Sequence, residues 1–143
     1  MPQHDAFPLT DYDLPDGVDR HIEAAPQSAY TDPDVLAGEL TSVFANDWVM
    51  VGRAGLIPQA GDYFTAMVGM KPVIIMRQQD GSISGMGNFC LHRYAQLLQG
   101  TGNTKRIVCP YHHWTYQMSG TLMGVPDRKG FEKAKITDRS LVK

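Results

Sequence analysis

The sequence predicts a mainly β protein: a small antiparallel domain of short strands, entered through one helix and carrying two metal-ligand loops. Three observations predict it. Short β-branched and apolar runs recur between glycine-rich turns. One capped stretch just after residue 30 repeats its apolar residues at helical spacing. The two cysteines, Cys90 and Cys109, each stand within three residues of a histidine. The 143 residues suffice for one domain with a hydrophobic core and fall short of two full ones.

Residues 1–30 are rich in Pro, Asp and Ala and lack periodicity, which reads as an arm lying on another surface or as a partly disordered tail. Thr31-Asp32-Pro33-Asp34 then combines a capping side chain, a first-turn proline and an early acid, so a helix is expected over 31–45. Val35, Leu36, Leu40, Val43 and Phe44 share one face of it, a stripe read as core packing. Residues 46–135 form the domain proper. Strands are expected at Trp48–Arg53, Asp62–Val68, Pro72–Gln78, Ile83–Asn88, Arg106–Cys109 and Trp114–Met118, with turns at Asp80-Gly81 and Ser119-Gly120. Residues 136–143 read as the start of a linker or of a further, catalytic domain.

Composition narrows the function classes. A net charge of −2 leaves no basic footprint for nucleic acid. No apolar run approaches the roughly 20 residues of a membrane span, and the N-terminus has no apolar core of a secretory signal. A soluble cytoplasmic protein is therefore expected, with neither nucleic acid nor membrane as partner. In a reducing compartment the cysteine pair is not read as a disulfide. Two thiolates also fall short of the four in a ferredoxin-type cluster, so any metal site must recruit other ligands.

The candidates for that role are Cys90-Leu91-His92-Arg93 and Cys109-Pro110-Tyr111-His112-His113-Trp114, a C-x-H and a C-x2-H separated by 16 residues. Together they offer two thiolates and two imidazoles. A [2Fe–2S] core with two Cys on one iron and two His on the other satisfies that set. Each loop would then give one ligand to each iron, with Gly100-Thr101-Gly102-Asn103 turning the chain between them. A structural zinc site needs the same donors, although zinc sites usually group Cys with Cys and His with His. His113 is an alternative to His112, which the spacing prefers.

These residues carry a resemblance. CLHR followed by CPYHHWTY resembles the Rieske motif of the ring-hydroxylating oxygenase α-subunit family, whose usual form is C-x-H-R-G and C-P-Y-H-G-W. The helix with its following strand, the GDYFT strand and the GxLxGVP segment after the second loop are similar to the same family, over about residues 28–130. The resemblance implies an iron–sulfur-protein-like antiparallel β domain with an N-terminal helix and a small cluster-binding subdomain. It implies that Cys90 and Cys109 bind one iron of a [2Fe–2S] cluster and His92 and His112 the other. Arg93, Tyr111, His113, Trp114 and Tyr116 would surround them, with Tyr116 read as a packing residue. Two departures stand out: Tyr94 and His113 replace the family's glycines beside the ligand loops.

Respiratory Rieske proteins add a second cysteine pair and a cluster-binding serine, both missing here, with Trp114 at the serine position. Fewer donors to sulfur imply a potential at the low end of the Rieske range. The resemblance thus implies the electron-input domain of an oxygenase, fed by a reductase or ferredoxin and serving a mononuclear Fe(II) in a catalytic domain or a neighbouring subunit. The intact enzyme would be a homo-oligomer, a trimer. No catalytic residue is expected in this chain, since only His4, His21 and His113 remain for an iron triad. The alternative is a free-standing Rieske-type ferredoxin. Arg93, Lys105, Arg106, Arg128 and Lys129 read equally as a rim for an acidic reductase and as scattered surface charge.

Overall fold

Asp62–Val68, with an interior Phe64 between less buried neighbours, forms the strand on which the fold is assembled (β1). In the computed structural model, which describes residues 25–126, 128–131 and 139–142, β1 pairs antiparallel with β2 (Lys71–Arg77), Tyr63 opposite Met76 through Val68 opposite Lys71. Gly69 takes φ +57 at the first of the two turn residues between them, a conformation that disfavours a side chain. The turn is also crowded: a Cβ on Gly69 would lie 3.1 Å from Leu40. β3 (Ile83–Gly87) extends the sheet beyond β2, and β4 (Thr101–Asn103) joins the free edge of β1, giving the order β3-β2-β1-β4. A second sheet, β5-β6-β7, is built from Arg106–Val108, Thr115–Gln117 and Leu122–Gly124.

The core lies between the sheets. Ile74, Met76 and Met86 come from the first, Ile107, Tyr116 and Leu122 from the second, and Trp114, Met118 and Leu97 from the flanking loops. Cys90 and Cys109 belong to the same cluster, so the metal-ligand loops are rooted in the core.

Several expectations need correction. Thr101–Asn103 is a strand and not a turn; Gly100 (φ +61) makes the reversal, and Gly102 leaves room for the Tyr63 ring, whose hydroxyl would lie 2.8 Å from a Cβ there. Trp48–Arg53 enters no ladder. Val49 and Val51 instead lie with Val73 and Ile75 on the outer face of the first sheet, while Trp48 and Met50 are fully exposed. Alternation reports that one side of a segment is covered, and packing on a sheet face satisfies it as well as strand pairing. The helix runs over Pro33–Asn46 (α2), capped by Asp32, whose carboxylate accepts the Asp34 N–H at 2.8 Å. A single turn, Ser28–Thr31 (α1), precedes it. None of the α2 stripe is buried; its contact is Leu40 and Phe44 over the Gly69 turn.

The arm expected over 1–30 lies outside the described residues up to residue 24. Of the segment expected to open a linker at 136–143, residues 139–142 pack on the domain. Leu141 is buried, Ser140 bridges Thr121, and the Val142 carbonyl accepts the Gly87 N–H. No helix among the described residues is long and apolar enough to cross a membrane.

Asn88 shows how the first ligand loop is tied down. It is the buried polar residue of the core. Its amide donates to the Leu98 carbonyl at 2.8 Å and accepts from the Leu97 and Leu98 N–H groups at 3.2 and 2.9 Å. Asn88→Ala strands three backbone groups at about 1 kcal/mol each or more. We expect the unfolding free energy, measured by urea denaturation, to fall by about 3 kcal/mol; a loss near zero would mean that the loop is not held by this side chain.

Candidate metal centre

The two ligand loops share one backbone design. In the first, the Cys90 N–H donates to the Ala95 carbonyl and the Tyr94 N–H donates back to the Cys90 carbonyl, both at 2.8 Å. In the second, the Cys109 N–H donates to the Trp114 carbonyl at 2.9 Å and the His113 N–H to the Cys109 carbonyl at 3.0 Å. The residue four positions after each cysteine must turn left-handed to close this frame. Tyr94 (φ +57) and His113 (φ +58) do so, the only non-glycine residues with positive φ among those described. These are the two positions where the resembled family carries glycine. The left-handed backbone is the reason glycine suits both positions.

The equivalent frames place their histidines differently. His92 is the second residue after its cysteine and His112 the third after its own. Cys90, His92, Cys109 and His112 nevertheless line one cavity of about 360 Å³, together with Arg93, Ala95 and Tyr111. His113 is not among the lining residues, so the geometry brings His112 and not His113 to the site. The cysteines are free and buried. The His92 ring lies flat against Trp114, centroids 4.9 Å apart and planes within 6°, and meets His112 edge-on at 4.8 Å. His92 is half-buried, whereas His112 is exposed.

Donor chemistry fits a metal group. Nδ1 of His92 is buried with no hydrogen-bond partner, a costly state for a polar atom unless a ligand meets it. Burial, followed by the electrostatic influence of the neighbouring His112 and Arg93, lowers the His92 pKa, which favours the neutral imidazole that binds metal. No three His, Cys, Asp or Glu side chains among the described residues close on a single ion. A tetrahedral zinc needs all its donors within about 2.0–2.3 Å of one point. Donors spread around the walls of a cavity, and not on one point, suit a group of several atoms better.

Tyr116 is more than the packing residue it was read as. It is fully buried, and its hydroxyl lies 3.2 Å from the Cys90 sulfur while accepting the Leu91 N–H at 3.0 Å. Burial, more than the Cys90 contact, pushes its pKa well above the ordinary phenol value, so the phenol keeps its proton. With one lone pair engaged by Leu91, that proton is free to point at sulfur. Burial likewise raises the Cys90 thiol pKa, and the Tyr116 bond works against that rise. Tyr111 is exposed, 6.4 Å from His112. Among the five cations singled out, Arg93 lines the cavity, but Lys105 and Arg106 line a separate hollow with Gln78 and Gln117. Phe131, the last residue of a short helix (Arg128–Phe131, α3), was not anticipated. It stands edge-on to His92 at 5.7 Å and to Trp114 at 5.2 Å, and it lies outside every motif that would have flagged it.

Known proteins match this chain over the region that carries both loops. The family model described as Rieske [2Fe-2S] domain matches residues 47–135. The glycine betaine monooxygenase oxygenase subunit of Chromohalobacter salexigens is 40% identical over 99 residues, 68% of this chain and 22% of that protein. Benzene 1,2-dioxygenase subunit alpha of Pseudomonas putida is 42% identical over 98 residues, again 68% of this chain and 22% of the relative. Among solved structures, naphthalene 1,2-dioxygenase with indole bound superposes with a TM-score of 0.70 at 37% identity, covering 76% of this chain and 25% of that one. The quaternary ammonium Rieske monooxygenase CntA gives 0.76 at 31%, covering 82% and 33%. The chain therefore spans about a quarter of the length of the curated relatives it matches.

The left-handed residues yield a test. An L-residue in that region costs about 1–2 kcal/mol, partly offset by the extra freedom glycine has when unfolded. His113→Gly should stabilise the domain by about 1 kcal/mol in chemical denaturation. Tyr94→Gly should gain less, because the Tyr94 ring leans on Phe89 at 5.7 Å and such a pair is worth roughly 0.5–1.5 kcal/mol. Destabilisation by His113→Gly would show that its side chain is held by contacts that outweigh the strain.

Proposed function

Because the chain belongs to the Rieske [2Fe–2S] domain family, we propose that it is the electron-transfer domain of a ring-hydroxylating-type oxygenase. The observation that carries the reading is the meeting of two thiols and two imidazoles around one cavity, with an orphaned His92 nitrogen among them. Cys90 and Cys109 would hold one iron and His92 and His112 the other, and the cluster supplies reversible storage of one electron. The remaining tasks fall to this chain's own side chains. Trp114 covers one face of His92. Tyr116 donates toward the Cys90 sulfur, which favours the more negative, reduced state. His112, exposed at the rim, is the ligand nearest to any docking surface.

Its partners would be a reductase or ferredoxin as donor, and as acceptor a mononuclear iron in a catalytic domain or neighbouring subunit of a homo-oligomer. Relatives of similar identity are named for glycine betaine and for benzene. The domain is thus common to monooxygenases and dioxygenases, and the choice of substrate belongs to the portion of those proteins that this chain does not span. Both are oxygenase subunits, which favours this role over that of a free-standing ferredoxin.

Low-temperature EPR of the dithionite-reduced protein, with iron, sulfide and zinc analysis, tests the reading. A rhombic signal with an average g below that of all-cysteine clusters, at two irons per chain, is the expected result. One zinc without sulfide would overturn it. Cys90→Ser and His112→Ala should each abolish the visible absorbance, and an unchanged spectrum would remove that residue from the ligand set. Tyr116→Phe should keep the cluster and lower its midpoint potential by tens of millivolts, about 40 mV for a hydrogen bond worth ~1 kcal/mol. An unmoved potential would mean that the hydroxyl serves Leu91 alone.

A further inference from the structure

Resting on the Rieske reading, we infer that Phe131 is a positioning residue that fixes the His92 ring over Trp114. Metal-bound histidines are usually oriented by a hydrogen bond from the ring nitrogen remote from the metal to a carboxylate, carbonyl or water. Among the described residues no hydrogen bond holds the His92 ring. The stretch Gly81–Pro126, which contains both loops, has no Asp or Glu to offer one. What bears on the ring among the described residues is aromatic packing.

Trp114 alone does not fix the ring. A flat stack with planes 6° apart sets the tilt of the imidazole but resists sliding only weakly. Phe131 supplies the missing constraint. Its ring stands at 85° to His92 and 88° to Trp114, and the three centroids are 4.9, 5.2 and 5.7 Å apart. Those nearly equal sides place Phe131 beside the stack, against both rings, and not at its end. Edge-to-face contact of this kind is a favoured aromatic geometry. Phe131 is partly buried against the core cluster that contains Trp114 and both cysteines, so the clamp is anchored where the ligand loops are rooted.

The plane of an imidazole at a metal governs its orbital overlap, so an altered ring registers in the EPR line shape as well as in stability. In the cluster-loaded protein, Phe131→Ala and the volume-keeping Phe131→Leu should shift or broaden the rhombic g features. Both should also lose visible absorbance to a chelator roughly two- to tenfold faster, the range one aromatic pair supports. Phe131→Tyr, which keeps the ring, should match the parent. Spectra of the Ala and Leu variants that superimpose on the parent would overturn the inference, and a lowered unfolding midpoint alone would make Phe131 core packing only. If the Ala variant does not fold, the Leu variant decides. A parent protein without a mixed-ligand signal would instead overturn the Rieske reading, and this inference with it.

Discussion

The site depends on a backbone constraint: each cysteine closes a six-residue loop by giving its N–H to the carbonyl five positions on and taking the N–H four positions on. Both frames require a left-handed residue at the same place, and both root a buried cysteine in the intersheet core. The difference between the loops lies in register. One histidine is the third residue of its frame and the other the fourth. From that single step follows the asymmetry of the pair, with His92 packed against two aromatic rings and His112 left exposed.

The two sheets serve this arrangement from below. β6 follows directly after Trp114 and carries Tyr116, so one strand brings both the plate under His92 and the hydroxyl beside Cys90. β5 pairs with β6, Ile107 opposite Tyr116, and leads straight into Cys109. The first loop is held from the other side by Asn88, just beyond β3, which bonds the backbone at Leu97 and Leu98. A shift of the first sheet would therefore move the first loop, and a shift of the second would reach both.

Much of this was legible in the sequence. Asp62–Val68 could be read to the residue because a glycine stands at each end and alternation fills the middle. The ligand pattern was legible because cysteine and histidine at paired spacings are rare outside metal sites. What was not legible follows from the limits of local pattern. The stripe on α2 announces an apolar face without saying what covers it, and Trp48–Arg53 alternates as a strand does while lying on a sheet face. Tyr116 looks like any buried aromatic until the fold brings its hydroxyl to Cys90. Phe131 reaches His92 through tertiary packing alone.

Charge placement completes the logic of the site. The chain carries 15 acidic residues, yet none lies between Gly81 and Pro126. Among the described residues, every group lining the cavity is neutral or cationic apart from the thiols themselves. A carboxylate there would oppose an added electron in a medium where screening is weak. None stands among the described lining residues, and the Tyr116 hydroxyl lies at the Cys90 sulfur. The rings of Trp114 and Phe131 bear on His92 without bringing a charge to it. Of the cations, Arg93 stands at the cavity and Lys105 and Arg106 at a separate hollow. The positive bias is a property of the whole segment, Gly81 to Pro126, which carries arginine and lysine but no acid.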